Sequence, residues 1–310
     1  MFNDSYIELM RVKIMEGQND IILKRRLIFM RCPLVLSFTL LIFFIFPPSL
    51  MYAAEIRVYG GETIVLDGPI VEGDFEKIFN VAKKVGPSLE KIFLNSLGGN
   101  LVEAMRIGRM VRELRWETEV ADFFIMVVFG SKYYEAYGLN LIKESEHELA
   151  CASSCFFIYA AGIYRFGGDI GIHRPFLNEE ICSQISGNDA IDFSVSANQV
   201  IKKYLIEMGI PEHIYNTMLS ISKNSIHWLT HEEQDEIEGY IPALEDWLDG
   251  KCGSNESVIR ILDEMELKMG KDNPLFEKFI DILFDNWECC RQEAMKELRK
   301  EAWEKFFKNN

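Results

Sequence analysis

Apolar residues recur in two alternating rhythms through much of the chain, and the alternation predicts strand followed by helix. Glu55 to Tyr59 and Thr63 to Leu66 read as short strands around a Gly60-Gly61 turn. From Asp74 to Lys84 the apolar positions Phe75, Ile78, Phe79 and Ala82 fall at helical spacing, and Gly86-Pro87 ends the run. Lys91 to Leu94 predicts a buried strand, after which Leu101, Ala104, Ile107, Gly108, Val111 and Leu114 mark one face of a second helix. Phe156 to Ala161 suits a buried helix closed by Gly162, and Asp169 to His173 a strand. Ile191 to Met208 predicts a helix ended by Gly209, and Pro211 sits at the first turn of another. This rhythm predicts an α/β fold with a mainly parallel sheet covered by helices.

Two stretches depart from it. Residues 122–150 hold the apolar run Phe123 to Phe129, then Tyr133-Tyr134, then the polar Lys143 to Glu148. This insertion fits a hairpin over a site, a surface that touches a membrane, or a helical lid. Beyond Asp249 the chain is charged and helical, with no visible chemistry, and reads as a segment for packing or oligomer contacts. The expected organisation is therefore 1–54, 55–248 and a helical C-terminal segment 249–310.

The first of these reads as an address. Lys24-Arg25-Arg26 precedes an apolar run from Leu27 to Phe46, interrupted by Arg31 and ended by Pro47-Pro48, with small residues at Ala53-Ala54. That order describes a secretory signal peptide cleaved after Ala53 or Ala54. Left uncleaved, the run approaches bilayer length and becomes a signal anchor. Met30 is an alternative start. A periplasmic or secreted chain is expected, membrane-anchored if the signal is kept.

Composition narrows the partners. The 310 residues are 48% hydrophobic and 26% charged, with a formal net charge of −15. Such an acidic balance argues against nucleic acid, whose phosphates are bound by clustered Lys and Arg. Of the seven cysteines, Cys32 lies in the signal, leaving Cys151, Cys155, Cys182, Cys252, Cys289 and Cys290. An even number in an exported chain points to disulfides, with Cys252 joined to Cys289 or Cys290 as the preferred pairing. Cys151 and Cys155 either pair, if their α-carbons come within about 7 Å, or pack as small buried residues. His227 with His231 is the one spacing that hints at a metal, but no third ligand accompanies it, so neither metal nor cofactor is expected.

Three short motifs carry the chemistry: Leu94-Asn95-Ser96-Leu97-Gly98-Gly99, Cys151-Ala152-Ser153-Ser154-Cys155, and Ile172-His173-Arg174-Pro175. Acyl transfer needs an activated hydroxyl or thiol, a base within reach, and N–H donors where the carbonyl oxygen becomes negative. In their order and surroundings these motifs resemble the Clp protease proteolytic subunit and the signal peptide peptidases that share its crotonase-like fold. They most closely resemble predicted periplasmic proteins on that fold. The resemblance covers about residues 55 to 245.

It implies repeated β-β-α units with a C-terminal helical appendage, a peptide or protein substrate, and homo-oligomers. Ser153, nine positions before Gly162, takes the nucleophile's place, His173 the base's, and the amides of Gly98 and Ser154 the oxyanion hole. The third triad position falls just before Trp228, where this chain has Asn224-Ser225-Ile226-His227. Asn224 is the candidate to orient the imidazole, or a Ser-His dyad acts without one. Trp228-Leu229-Thr230, a helix from Glu232 to Ile237 and a last strand at Gly239-Tyr240-Ile241 resemble the end of the fold. Cys155 or Cys151 is the alternative nucleophile. The alternative function is a catalytically inactive envelope protein that keeps the fold to bind peptides or assemble. Acyl-CoA chemistry is disfavoured for an exported chain.

Overall fold

The computed structural model describes residues 53–120, 149–176 and 187–309, apart from Tyr240 and Asp272. Nearly all of the expected signal or anchor (1–54), Cys32, Cys182 and nearly all of the 122–150 insertion lie outside the described residues. The chain forms two compact units, of which the larger holds Ala53–Arg174 and Lys202–Asn310. The described part of the other includes the start of one helix, Gly187–Glu207, whose end belongs to the larger unit.

Strands β1 (Glu55–Tyr59) and β2 (Thr63–Asp67) pair antiparallel, Tyr59 opposite Thr63. The reversal uses positive φ at Gly60 and Gly61 (61° and 79°), where a side chain would be strained. β2 then pairs parallel with β3 (Lys91–Asn95), β3 with β4 (Glu117–Val120), and β4 with β6 (Arg165–Phe166). Helices α1 (Asp74–Val85) and α2 (Leu101–Glu113) make the crossovers. Ile64, Val65, Leu66, Ile92, Phe93 and Leu94 are all fully buried. Burial on both faces is why these strands read as continuous apolar runs.

A second sheet holds β5 (Ala150–Ala152), β7 (Asp169–Ile172) and β8 (His227–Trp228), with β7 central, parallel to β5 and antiparallel to β8. Ser96 joins the two sheets: its N–H donates to Ala150 O at 2.8 Å, and its carbonyl accepts from Ala152 N–H at 2.9 Å. The end of β3 is thereby fixed beside the short helix α3 (Cys155–Tyr159) that follows β5. The fold is mixed α/β, with parallel and antiparallel pairing.

One expectation changes: Gly239 and Ile241 belong to no strand, and the last strand among the described residues is β8, at His227–Trp228. Gly239 has φ 97° and lies against the Ile163 carbonyl, and Ile241 is the N-cap of helix α7 (Pro242–Cys252), so the segment is taken up by a turn and a helix start where the motif suggested a strand. Here α4 is Gly187–Glu207, α5 Glu212–Ser220 and α6 His231–Asp235.

The C-terminal helices α7, α8 (Asn255–Met269) and α9 (Pro274–Asn309) belong to the larger unit. Buried Arg299 of α9 donates to Glu117 at 2.6 Å and pairs with Glu90 at 3.2 Å, both at the entry ends of sheet strands. Trp303 Nε1 donates to Ala82 O at 3.1 Å, and Phe79 stacks beside Phe306 and Phe307. Cys252 is bonded to Cys290, leaving Cys289 an exposed thiol. Among the described residues no helix is long and apolar enough to cross a membrane.

Candidate active site

Ser153 sits where β5 turns into α3, with φ 58°. A side chain rarely holds this left-handed conformation unless its surroundings impose it. Ser153 N–H donates to Gly171 O at 2.9 Å, continuing the β5–β7 ladder by one residue before the chain turns. The Ser153 carbonyl then accepts from Phe156 N–H at 3.2 Å as the helix begins. The side chain is half-buried.

The Gly98-Gly99 loop closes on this turn. A Cβ placed on Gly98 would lie 2.7 Å from Ser153 Cβ, 2.9 Å from Ala152 O and 3.0 Å from Ser153 Oγ. Only glycine fits there, and φ of 103° demands it independently. Gly99, at φ 142°, presses on the backbone of Ile70, where any Cβ would collide with the carbonyl. Ile70 N–H donates to Gly98 O at 3.0 Å and Asn100 N–H to Ile70 O at 2.8 Å, so the loop is laced on both sides of Gly99. Asn100 caps α2 by accepting from the N–H groups of Val102 and Glu103.

The backbone donors near Ser153 are not equivalent. Gly98 N–H donates to Ser96 Oγ at 3.1 Å, so it reaches a substrate oxygen only by giving up that hydroxyl. Among the described residues the N–H groups of Gly99 and Ser154 make no hydrogen bond. The N–H of Gly99, which the sequence did not single out, is thus unbonded among the described residues while that of Gly98 is taken; two adjacent glycines look alike in sequence, and the Ser96 hydroxyl distinguishes them. Ser154 Oγ is itself buried without a hydrogen-bond partner among the described residues.

Cys151 and Cys155 are joined by a disulfide, with α-carbons 5.3 Å apart. They are not simply small packing residues, and the thiol alternative for the nucleophile is removed, because a disulfide sulfur has no thiolate to offer. Both are fully buried.

His173 follows β7 directly, two residues beyond the Gly171 carbonyl that holds Ser153 N–H. Neighbouring strands lie about 4.8 Å apart, so the two backbones begin within one strand spacing of each other. Among the described residues no hydrogen bond joins Ser153 Oγ to the imidazole. His173 Nδ1 lies 3.0 Å from Arg174 O. A carbonyl only accepts, so Nδ1 carries the proton in this contact and the neutral ring keeps its lone pair on Nε2.

Asn224 is exposed in the loop between α5 and β8, and its N–H donates to Ser222 Oγ at 3.3 Å. Its side chain makes no hydrogen bond to His173, although the loop runs alongside: Arg174 N–H donates to Ile221 O at 3.2 Å. His227 pairs opposite Ile172 on β8, and its Nε2 lies 3.0 and 3.1 Å from the two oxygens of Glu233. Burial would raise the Glu233 carboxyl, but hydrogen bonds from Thr230 N–H and His227 hold it below its ordinary value. The same carboxylate completes the capping box of α6. His227 is thus engaged structurally, and no group of three ligating side chains occurs among the described residues.

Two arginines brace the far end of α3. Arg112 donates to the carbonyls of Ala160, Gly162 and Met208, and Arg165 to those of Met208 and Ile237. Burial pulls Arg112 down to about 10, and burial together with the Arg112 charge pulls Arg165 down to about 9. Both remain cations at neutral pH, set against carbonyls left open at helix ends.

No family model matches the chain, and no curated protein matches it. Among solved structures, a ClpP1 mutant from Listeria monocytogenes is similar over 57% of this chain and 88% of that one, at 16% identity and a TM-score of 0.35.

Proposed function

We propose that the chain is a serine peptidase-like hydrolase of the Clp-protease type, in which Ser153 attacks a peptide carbonyl and His173 accepts its proton. The observation that carries this reading is the closure of a glycine loop on a left-handed serine: Gly98 packs against Ser153 Oγ so tightly that a single carbon would lie 3.0 Å from it. A serine at the junction of strand and helix lies near backbone N–H groups that make no hydrogen bond among the described residues. Ser154 N–H and Gly99 N–H are the ready oxyanion donors, with Gly98 N–H joining them by exchange from Ser96 Oγ.

The chemistry runs from those atoms. Nε2 of His173 takes the proton as Oγ bonds to the carbonyl carbon, then returns it to the leaving amine. The Arg174 carbonyl fixes the required tautomer, in the place a carboxylate fills in a triad. Being neutral, it stabilises the imidazolium less, so slow turnover is expected. Leu97 and Ile226, both exposed, supply apolar surface next to Gly98 and near the end of β7. A peptide with an apolar side chain beside its scissile bond suits them. Export through the N-terminal segment, with the signal removed or kept as an anchor, and assembly into homo-oligomers are part of the same proposal.

A second reading is favoured by one observation: no hydrogen bond joins Ser153 and His173, and the side chain of Asn224 stands apart from the imidazole. In that reading the chain binds peptides in the envelope without cleaving them. Treating the protein with a fluorophosphonate and mapping adducts by mass spectrometry separates the two. The hydrolase reading expects a single adduct on Ser153 that is absent from Ser153→Ala; an unmodified chain under several conditions supports the binding protein.

A further inference from the structure

We propose that the Cys151–Cys155 disulfide is the clamp that holds Ser153 in its left-handed conformation, and that the reactivity of this serine follows the oxidation state of the pair. The second half rests on the nucleophile role proposed above; the first does not.

The backbone between the two cysteines must reverse within three residues. Four residue steps of extended chain would span about 13 Å, whereas the cysteine α-carbons are 5.3 Å apart. Cys151 is fixed at one end, in the middle of β5, where it pairs with Ile170 and bridges to Ser96. Cys155 is fixed at the other as the first residue of α3. Ser153 is the residue between them that takes positive φ, a conformation for which serine has no intrinsic preference.

The other constraints on the turn are non-covalent: the flanking backbone bonds and the Gly98 loop packed against Ser153. The side chains of Ser153 and Ser154 make no hydrogen bonds among the described residues, and the helix that follows is one turn long. The backbone bonds that flank the turn, at 2.9 to 3.2 Å, are each worth about 1 kcal/mol net and yield to a change of φ at Ser153 far more readily than a covalent S–S bond. The covalent link is what forbids that change. Once it is cut, Ser153 is free to leave the left-handed region, and Oγ leaves its place beside Gly98.

Opening the clamp needs a dithiol. One of its thiolates attacks a cysteine sulfur, breaking the S–S bond and expelling the other cysteine as a thiolate. The second thiol then displaces the first cysteine. Both cysteines end as thiols after taking up two electrons and two protons in all, and the reagent ends as a disulfide. Because both cysteines are fully buried, attack waits for local opening, and a group bound on Ser153 should slow it.

The test uses amide exchange on the full chain, which needs no activity. Three proteins are compared: wild type, Cys151→Ala/Cys155→Ala, and that double variant with Ser153→Gly added. Exchange at Ala152 and Ser153 is expected to rise about tenfold or more without the disulfide. It should return to within about threefold of wild type with glycine, which takes positive φ without penalty. Cys252→Ala/Cys290→Ala should leave both amides unchanged. A staple that merely stabilises the domain would give no rescue, so failure of glycine to restore protection overturns the clamp, as does unchanged exchange without the disulfide.

Should the double variant not fold, wild type and Ser153→Gly are reduced natively with dithiothreitol and the thiols counted by mass. Retained protection in Ser153→Gly alone supports the clamp, and equal loss in both overturns it. For the redox half, fluorophosphonate adducts on Ser153 are expected in the oxidised chain and reduced about tenfold or more after dithiothreitol. Equal labelling of both forms overturns redox control. No labelling of the oxidised chain also overturns that half, together with the hydrolase reading, while the exchange result stands by itself.

Discussion

Around Ser153, backbone and covalent constraints converge within a few residues: the β5–β7 ladder on one side, the laced Gly98-Gly99 loop on another, and a disulfide across the turn. Around His173 the chain is more open to solvent. The half-buried imidazole lies against its neighbour's carbonyl, and the adjoining loop from Ser222 to Ser225 is exposed, with hydrogen bonds among Ser222, Asn224 and Ser225. The difference teaches where precision was built in. An oxyanion site depends on fixed donors, because reorienting them during the reaction would forfeit their benefit. A base tolerates a longer or misaligned contact in the free protein, since binding can tighten it. The unformed Ser153–His173 hydrogen bond therefore bears on the more open half alone.

Substitutions in the two halves should differ in size, and the largest effect falls at Gly99. Gly99→Ala forces a Cβ into the Ile70 carbonyl at a φ that disfavours it, and should cost about 3 kcal/mol or more in urea unfolding. Gly209→Ala, also at positive φ but with open space around it, should cost only about 1–2 kcal/mol. A Gly99→Ala protein as stable as that control would show the loop to be less rigid than described.

Arg299→Met tests a region remote from the site. It strands Glu90 and Glu117 beside a removed charge and should cost about 3 kcal/mol. Where the protein still folds, the fluorophosphonate rate should stay within about twofold of wild type, since the stiffness of the serine half is local. A parallel loss of labelling would mean that global stability, not the loop, sets reactivity.

The serine half also contributes a titration. Tyr159 ends α3, and burial pushes its phenol up to about 12. The folded value lies above the ordinary one near 10, so this stability is fully present below about pH 10 and is lost as pH rises through about 12. It amounts to roughly 2–3 kcal/mol. Tyr164 and Tyr204 are raised by burial too, so Tyr159→Phe should make the alkaline limb shallower, not remove it, in unfolding measured from pH 9 to 12. An unchanged limb would show that Tyr159 ionises without opening the helix.

The smallest effect belongs to the open half. Asn224→Ala removes an exposed side chain with no hydrogen bond to His173, and should change stability by less than about 0.5 kcal/mol. It should also leave Ser153 labelling within about twofold. A tenfold slowing would mean that Asn224 swings onto the imidazole when the site is occupied, and would tighten the half described here as open.

The parts of the fold that could be read in the sequence are those set by local pattern. The Gly60-Gly61 reversal, the faces of α1 and α2, and the parallel strands between them follow from spacing that one residue's neighbours decide. The close approach of the Gly98 loop to the Ser153 turn was legible through the resemblance, since small residues mark places where backbones approach. Which amide is taken was not, since it depends on where the Ser96 hydroxyl points. The Cys151–Cys155 bond was left open because four-residue spacing allows it only when a turn supplies positive φ, and serine does not announce that. The strand at His227–Trp228 was displaced from the expected place because its two residues carry no periodicity; the sheet partner β7 creates them as a strand. The anchoring of α9 through Arg299 was equally silent, being a contact between residues 182 positions apart.

The most direct measurement is the rate of fluorophosphonate addition to Ser153 in wild type and in His173→Ala. The adduct is expected to form on Ser153, and its rate to fall by about a hundredfold or more without the imidazole. Equal rates in the two proteins, or an adduct on another residue, would contradict a Ser153–His173 site.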